Sequence, residues 1–294
     1  MKDLLFEKII NDINNIIVEN LSISNELSKS AYKVIDEIKK DIQTERPQLV
    51  NIKGVTYKNN TIGINIKAIQ QVVKITYYYY NFMTEILKRR GIGRIQQRNY
   101  IDENSIAVTI ISVAGNIDTN TLHDSIYHEL EHMYQLQKQG KSFINNEEDI
   151  YYYAHNLMHS LPQNSLGYMI AACLYLSETF EQDAYVNGMY GAVMNRVKNF
   201  WDITKEFQQT SAYNALKNFE QYFEVFQKYK EEAMQTLEQY FGEYNITYDN
   251  MIPFFESRLK RFKTKVGKVI MKMQEDYKEQ NKDRTKLPPK VSFI

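Results

Sequence analysis

A single polar pattern, His-Glu-Leu-Glu-His at residues 128–132, is the strongest constraint on the fold of this chain. Residues four apart lie on one face of an α-helix, so the imidazoles of His128 and His132 can reach one metal ion. Glu129 lies between them in projection, where its carboxylate can take a proton from water held at that ion. The alternative is a polar helix face with an accidental histidine pair, but the chain has only five histidines. The pattern predicts a helix with two metal ligands and a general base.

The flanking residues predict an amphipathic helix that extends to about Lys138. Ile126, Leu130 and Met133 form its apolar stripe, while the two histidines point to a different face. Thr121–Asp124 fits a capping box in which aspartate replaces the usual glutamate. The helix is therefore expected to be anchored on one side and open on the other, as a catalytic site requires.

The charge and apolar content limit the partners of the chain. The chain has 36 lysine and arginine residues and 36 aspartate and glutamate residues, so its net charge is zero. Hydrophobic residues make up 43% of the sequence. Nothing in this balance indicates nucleic acid or an anionic membrane as the main partner. The sequence has no run of about 18 apolar residues, and its first residues lack the apolar core of a signal peptide. We expect a cytoplasmic protein, with a place in a virion as an open alternative.

Helical and strand periods alternate along the first hundred residues. Apolar spacing predicts helix from residue 1 to about 43, with a break at Leu21–Asn25. The period then changes to two, and strands over Val50–Tyr57 and Thr61–Lys67 flank a predicted hairpin turn at Lys58–Asn60. A third strand is predicted where Val73, Ile75, Tyr77 and Tyr79 alternate with other residues, although a helix through Gln70–Phe82 also fits. Beyond it we expect a helix over Met83–Arg90 and two strands, Ile95–Ile101 and Ser105–Val113.

The second half of the chain is predicted to be helical and rich in aromatic residues. Tyr151–His159 holds a second histidine pair, His155 and His159, for which we weigh a metal pair, a hydrogen-bond donor and a structural role. The lone cysteine, Cys173, lies in an apolar helix over Leu166–Leu176, which predicts a buried, inert thiol.

A further helix is predicted to follow Ser177 as N-cap and to extend to about Lys198. The pattern is helical from Trp201 to Lys282, with a break or kink at Pro253. A tail is predicted after Lys282. The predicted packing stripe of the helical region consists of Phe207, Tyr213, Phe219, Phe223, Phe226 and Tyr229.

A metal site of this type needs a third protein ligand, because one coordination position must stay open for water. Glu178 and Glu181 both qualify by residue type. Here the sequence resembles the gluzincins, zinc peptidases with His-Glu-x-x-His on one helix and a glutamate ligand on a later one. Glu181-Gln-Asp-Ala-Tyr185 is similar to the glutamate motif of their compact members, the minigluzincins and the bacterial and phage immunity-regulator peptidases. The resemblance covers roughly residues 73–190.

The resemblance implies a zinc metallopeptidase acting on a peptide or protein substrate. His128, His132 and Glu181 would bind Zn²⁺, and Glu129 would act as general base. Tyr185, one turn beyond Glu181 on the same face, is the first candidate for a hydrogen-bond donor to the oxyanion, with a buried core tyrosine as the alternative. In the family an aspartate or asparagine commonly stands where this chain has Tyr185, so Asp183 or Asp124 is expected to orient a ligand histidine instead. The strand Ile106–Val113, which precedes the histidine helix, corresponds to the family's edge strand beside an extended substrate.

The predicted fold class is α+β and zincin-like: a small, mixed, mainly antiparallel sheet packs on the His-Glu-x-x-His helix and the glutamate helix. Helices are added at both ends. The predicted division is an N-terminal helical segment (1–45), a catalytic core (46–200), a C-terminal helical region (201–282) and a tail (283–294). The flanking helices or the tail could bind a protein partner. Two alternatives stay open: a non-catalytic structural or regulatory protein that retains the fold, such as a virion component, and a helical scaffold without metal.

Overall fold

The computed structural model describes residues 25–43, 50–52, 55–84, 100–102, 105–139 and 150–281. The helices are labelled here α1 (25–43), α2 (Thr119–Gln139), α3 (Ile150–Ser160), α4 (Leu166–Ser177), α5 (Thr179–Met194), α6 (Asp202–Phe207), α7 (Ser211–Lys228), α8 (Lys230–Phe241) and α9 (Tyr248–Gln280). The strands are β1 (Val50–Ile52), β2 (Val55–Ile66), β3 (Gln71–Phe82), β4 (Tyr100–Asp102) and β5 (Ser105–Val113). The fold class is α+β, as predicted, and helix predominates.

The chain forms two compact units. The first contains α1, the sheet, α2 and Asp183–Ala192 of helix α5. The second contains α3, α4, the start of α5 and the helices that follow Val193. Helix α5 is continuous over Thr179–Met194 and so belongs to both units. None of the helices described here combines the length and the apolar character needed to cross a membrane.

The sheet is mixed and mainly antiparallel, as predicted. Among the described residues its strand order is β1-β2-β3-β5-β4, with β3–β5 parallel and the other three pairs antiparallel. Strand β3 confirms the strand alternative over the helix: Val73, Ile75, Tyr77 and Tyr79 are buried, while Val72 on the opposite face is 54% exposed. Because side chains alternate between the two faces of a strand, this pattern packs one face of the sheet against the core.

The predicted hairpin turn at Lys58–Asn60 is wrong, because β2 is continuous through these residues. Lys58 is buried, and its ammonium donates to the backbone carbonyl of Asp41 at 2.8 Å. The Asn60 amide donates to the Asp41 carboxylate at 2.9 Å, and the Tyr77 hydroxyl binds the same carboxylate. Residue types that favour turns therefore hold the end of α1 against the sheet from within a strand.

The expectation that β5 lies at the sheet edge is also wrong. Strand β5 pairs with β3 on one side and with β4 on the other, through Tyr100↔Ala107 and Asp102↔Ser105. The edge position on that side belongs to β4. The strand that precedes α2 is nevertheless found where it was predicted, and its buried residues Ile106, Val108 and Ile110 face the core.

Helix α1 packs its predicted apolar stripe into the first unit. Ala31, Val34, Ile35 and Ile38 are fully buried in one cluster with residues of the sheet and of α2. The predicted helix before residue 25 lies outside the described residues, as does the tail. Of the predicted helix Met83–Arg90 only Met83 and Thr84 are described, and they form a bend rather than a helix.

Helix α2 begins two residues earlier than the predicted capping box. The side chain of Asp118 accepts hydrogen bonds from the backbone amides of Asn120 and Thr121 at 3.0 and 3.1 Å. Asp118 is therefore the N-cap, and Thr121 stands at the third helical position. The capping box at Thr121–Asp124 is wrong because an aspartate three residues before Thr121 already satisfies these amides.

Aromatic side chains fill the interior of the second unit. The Phe255 ring of α9 packs against Phe219, Phe223 and Phe226 of α7, with ring centroids 6.2, 5.8 and 5.4 Å apart. The predicted packing stripe is confirmed at these phenylalanines, but Tyr229 is 43% exposed because α7 ends one residue before it.

Several predicted helix boundaries in the second unit are corrected. Helix α9 continues through Pro253. It begins at Tyr248 with a capping box formed by Thr247 and Asn250, so the helical pattern is interrupted before Pro253 and not at it. Ser177 does not cap α5; it ends α4, and its hydroxyl donates to the carbonyl of Cys173 at 2.6 Å. Helix α5 ends at Met194 rather than near Lys198. Cys173 is fully buried, as predicted, and burial raises the pKa of its thiol.

Within the first unit, α5 approaches α2 closely at Gly188. A Cβ atom at this position would lie 2.8 Å from Cδ1 of Tyr127. Tyr127 is fully buried, so its ring has no free space to move into. The close approach of the two helices therefore requires glycine at residue 188.

We expect Gly188→Ala to lower the free energy of unfolding by about 1–3 kcal/mol, because the added methyl group overpacks the contact with Tyr127. Gly267→Ala is the matched control: Gly267 lies inside α9, and its Cβ would meet open space. Alanine is the better helix former, so the control should be neutral or stabilising by up to about 1 kcal/mol. Urea unfolding followed by circular dichroism measures both, and equal effects of the two variants would contradict the close approach.

Candidate metal centre

The two histidines of the pattern lie side by side on α2. Their Nε2 atoms are 3.0 Å apart, and their rings meet edge to face with centroids 4.5 Å apart. Both side chains are half-buried. The apolar stripe of Ile126, Leu130 and Met133 is buried on another face of α2, as predicted. The helix therefore holds both imidazoles at a separation that suits two ligands of one ion.

Glu181 completes a group of three ligands with these histidines. His128, His132 and Glu181 each offer one ligand atom, and these atoms all lie within 4.8 Å of one another. The other sequence candidate, Glu178, is not part of the group. Glu181 stands in the first turn of α5, where the positive end of the helix dipole favours a carboxylate. This donor set fits a divalent transition metal, which accepts imidazole and carboxylate ligands.

The hydroxyl of Tyr175 fixes the carboxylate of Glu181. It donates to Oε2 of Glu181 at 2.5 Å. Glu181 is 8% exposed, so few water molecules compete for this oxygen. A hydrogen bond to one carboxylate oxygen orients the other, and such outer contacts tune the affinity of a metal site. Tyr175 is a functional candidate that the sequence analysis missed.

Glu129 is also buried, at 8% exposure, directly after the first ligand histidine. Its position follows from the helical spacing, which places it between His128 and His132 in projection. Tyr185 lies one turn beyond Glu181 on α5, and its ring packs on the His128 ring with centroids 4.6 Å apart. The Tyr185 side chain is half-buried rather than a core residue. Both predicted catalytic residues thus lie beside a ligand histidine.

A second carboxylate, Glu131, anchors a buried polar network behind the ligands. It accepts hydrogen bonds from Asn187 at 2.8 Å and from Tyr127 at 3.2 Å. Burial raises the pKa of this carboxyl, and Asp183 adds to the rise, while Asn187, Tyr127 and His132 oppose it. The amide of Gln135 lies between Glu131, at 3.5 Å, and Nδ1 of His132, at 3.2 Å.

One contact of the histidines was not expected from the sequence: Nδ1 of His132 lies 3.2 Å from the side-chain oxygen of Gln135. The orientation of a ligand histidine by Asp183 or Asp124 stays a prediction. Asp124, one of the two predicted carboxylates, contacts His123 at 3.3 Å, and Asp183 acts on Glu131 through its charge. Gln135 is the helical neighbour three residues beyond His132, so spacing could have identified it. Asn187 could not be identified in this way because it is remote in sequence.

The other histidines of the chain fall outside the three-ligand group. His123 is fully buried, stacks on Tyr32 and lies 3.0 Å from the hydroxyl of Ser28 through Nε2, which gives it a structural role in the first unit. His155 and His159 lie on α3, with their Nε2 atoms 3.4 Å apart. Their rings are at the surface of the second unit, and His155 packs on Tyr175 at a centroid distance of 5.3 Å.

Comparisons with protein-family models, with curated proteins and with solved structures find no match for this chain. The inference of a metal centre therefore rests on geometry: two histidines from α2, one glutamate from α5 and the buried network around Glu131.

The three-ligand group predicts which substitutions remove a bound metal. His128→Ala and Glu181→Ala should each lose most of the metal retained by the wild-type chain, because two ligands bind a transition metal far more weakly than three. Glu178→Ala is the matched control on the same segment and should keep it. Elemental mass spectrometry of the purified proteins measures the metal per chain, and a loss with Glu178→Ala but not with Glu181→Ala would reassign the third ligand.

Removing the Tyr175 hydroxyl should weaken metal binding without removing a ligand. We expect Tyr175→Phe to lower the affinity about 10–100-fold, the usual effect of losing an outer-shell partner. Tyr168→Phe, two turns earlier on α4, is the control and should leave the affinity unchanged. Competition with a chromophoric chelator measures both constants, and equal affinities for Tyr175→Phe and wild type would show that Glu181 does not need this hydrogen bond.

Proposed function

We propose that this protein is a zinc-dependent metallopeptidase that hydrolyses a peptide bond in a peptide or protein substrate. The observation that carries the proposal is the group formed by His128, His132 and Glu181, with Glu129 inside the same helical turn. Two histidines and one glutamate leave a coordination position open, which distinguishes catalytic zinc sites from closed structural ones. The likeness of the two motifs to the gluzincins gives the same assignment.

The donor set suits zinc better than magnesium or calcium. Magnesium and calcium prefer oxygen ligands throughout, whereas two imidazoles and one carboxylate are common ligands of zinc. When bound, Zn²⁺ would act as a Lewis acid toward the scissile carbonyl and toward the attacking water. The two neutral imidazoles leave much of the charge of the ion uncompensated, which favours this polarisation.

Glu129 acts as the general base in this proposal. Its carboxylate takes a proton from the attacking water and passes it to the amine that leaves. At 8% exposure the carboxylate is shielded from bulk solvent, so the proton is exchanged between Glu129 and the reacting groups. Glu131, two residues later, points into the buried network with Asn187 and Tyr127 and so does not compete for this role.

Tyr185 is the candidate donor to the oxyanion. Its ring lies against the His128 ring, and its side chain is half-buried. A phenolic O–H can donate to negative charge that develops on the carbonyl oxygen in the transition state.

The fold supports the proposal through the sheet and the helix that carries the histidines. Buried residues of β3, β5 and α2 share one core, so the ligand helix rests on a rigid sheet. A zincin-like packing is our proposal for this arrangement. Because β4 rather than β5 lies at the sheet edge, an extended substrate would pair with a different strand from the one that the resemblance implies.

Glu129→Gln tests the proposal because glutamine keeps the shape of the side chain and removes the base. We expect the variant to retain its zinc and to lose at least about 10²–10⁴-fold in turnover of a peptide library, the usual share of general base catalysis. Glu178→Gln is the control, since Glu178 lies outside the ligand group, and it should keep full activity. Peptide cleavage by the zinc-loaded Glu129→Gln variant at the wild-type rate would refute the base. A wild type that holds zinc but cleaves nothing would favour the structural or regulatory alternative.

A further inference from the structure

We propose that His155 and His159 form a second, separate binding site for a divalent transition metal ion. The two residues lie four apart on α3, with Nε2 atoms 3.4 Å apart and rings edge to face at 86°. The ligand histidines of α2 have nearly the same mutual arrangement, with a ring separation of 4.5 Å against 4.7 Å on α3. The inference is independent of the peptidase proposal, because it uses neither the α2 histidines nor Glu181.

The distance between the two nitrogens is compatible with a shared ion. Two nitrogens that each lie 2.0–2.1 Å from a tetrahedral ion are about 3.3–3.4 Å apart. At 3.4 Å, His155 and His159 match the ion-bridged separation, so both rings can bind one metal without a change of rotamer.

Neighbouring contacts hold the pair in place and leave it open to solvent. The His155 ring packs on Tyr175 with a centroid distance of 5.3 Å, which restricts its rotation. His159 is exposed, and Asn156 between them is exposed as well, so an ion can enter from solvent and complete its coordination with water. A partly fixed pair loses less side-chain entropy on binding than two free side chains would.

The chemistry of the ligands defines the class of ion. Imidazole nitrogen suits zinc, copper, nickel and cobalt, whereas magnesium and calcium need oxygen ligands. With two protein ligands, and with His159 exposed to water, this site should bind more weakly than the three-ligand centre. We therefore expect two classes of zinc site in the chain, a tighter one on α2 and α5 and a weaker one on α3.

Isothermal titration of the metal-free, full-length protein with Zn²⁺ tests the second site. Wild type should show two binding events, and His159→Gln should lose the weaker one while it keeps the tighter one. Asn156→Gln, which alters the exposed residue of the same turn, is the matched control and should keep both events. A titration with Mg²⁺ should produce neither event.

His128→Ala separates this inference from the proposed peptidase centre, because it should lose the tighter event and retain the weaker one. In that variant, Zn²⁺ should shift the imidazole proton resonances that His155→Gln and His159→Gln remove from the spectrum. His159 is exposed, so its substitution should leave the fold intact, which far-UV circular dichroism checks. A weaker event that persists unchanged in His159→Gln, or its absence from wild type, would overturn the second site whatever happens at the first.

Discussion

Helix α5 can lie against α2 only because Gly188 presents no side chain to the buried ring of Tyr127. The approach brings two α5 side chains to residues of α2. Tyr185 reaches the His128 ring, and Asn187 reaches the Glu131 carboxylate. The absence of a side chain at Gly188 thus permits the contacts that Tyr185 and Asn187 make with α2.

Glu131 shows why the ligand helix needs support from behind. A buried carboxylate is unfavourable unless hydrogen bonds satisfy it, and here Asn187 and Tyr127 both donate to it. The amide of Gln135 extends this network to Nδ1 of His132. The family that the sequence resembles commonly uses an acidic or amide residue after the glutamate ligand for such support. This chain has Tyr185 there, and Gln135 of α2 and Asn187 of α5 contact His132 and Glu131, respectively.

Features that depend on local spacing were predicted well from the sequence, and features that depend on remote contacts were not. The helical spacing of the histidines, the buried stripe of α1 and the alternation in β3 are confirmed, because each arises within one element. The turn predicted at Lys58–Asn60 is wrong. Lys58 and Asn60 each bind Asp41, which lies at least 17 residues earlier in the sequence. Tyr175 was missed for a different reason: it lies only six residues before Glu181, but their contact depends on how α4 and α5 meet. The choice of Glu181 over Glu178 came from the resemblance and agrees with the geometry.

The two histidine pairs share their spacing but differ in their surroundings. Both pairs are four apart on a helix, and their rings meet at the same angle of 86°. They differ in what the fold brings to them: the α2 pair meets a carboxylate, whereas the α3 pair meets the ring of Tyr175. The same tyrosine donates its hydroxyl to Glu181, so its two ends contact the two candidate sites. The position of one carboxylate, and not the histidine spacing, therefore distinguishes the two pairs.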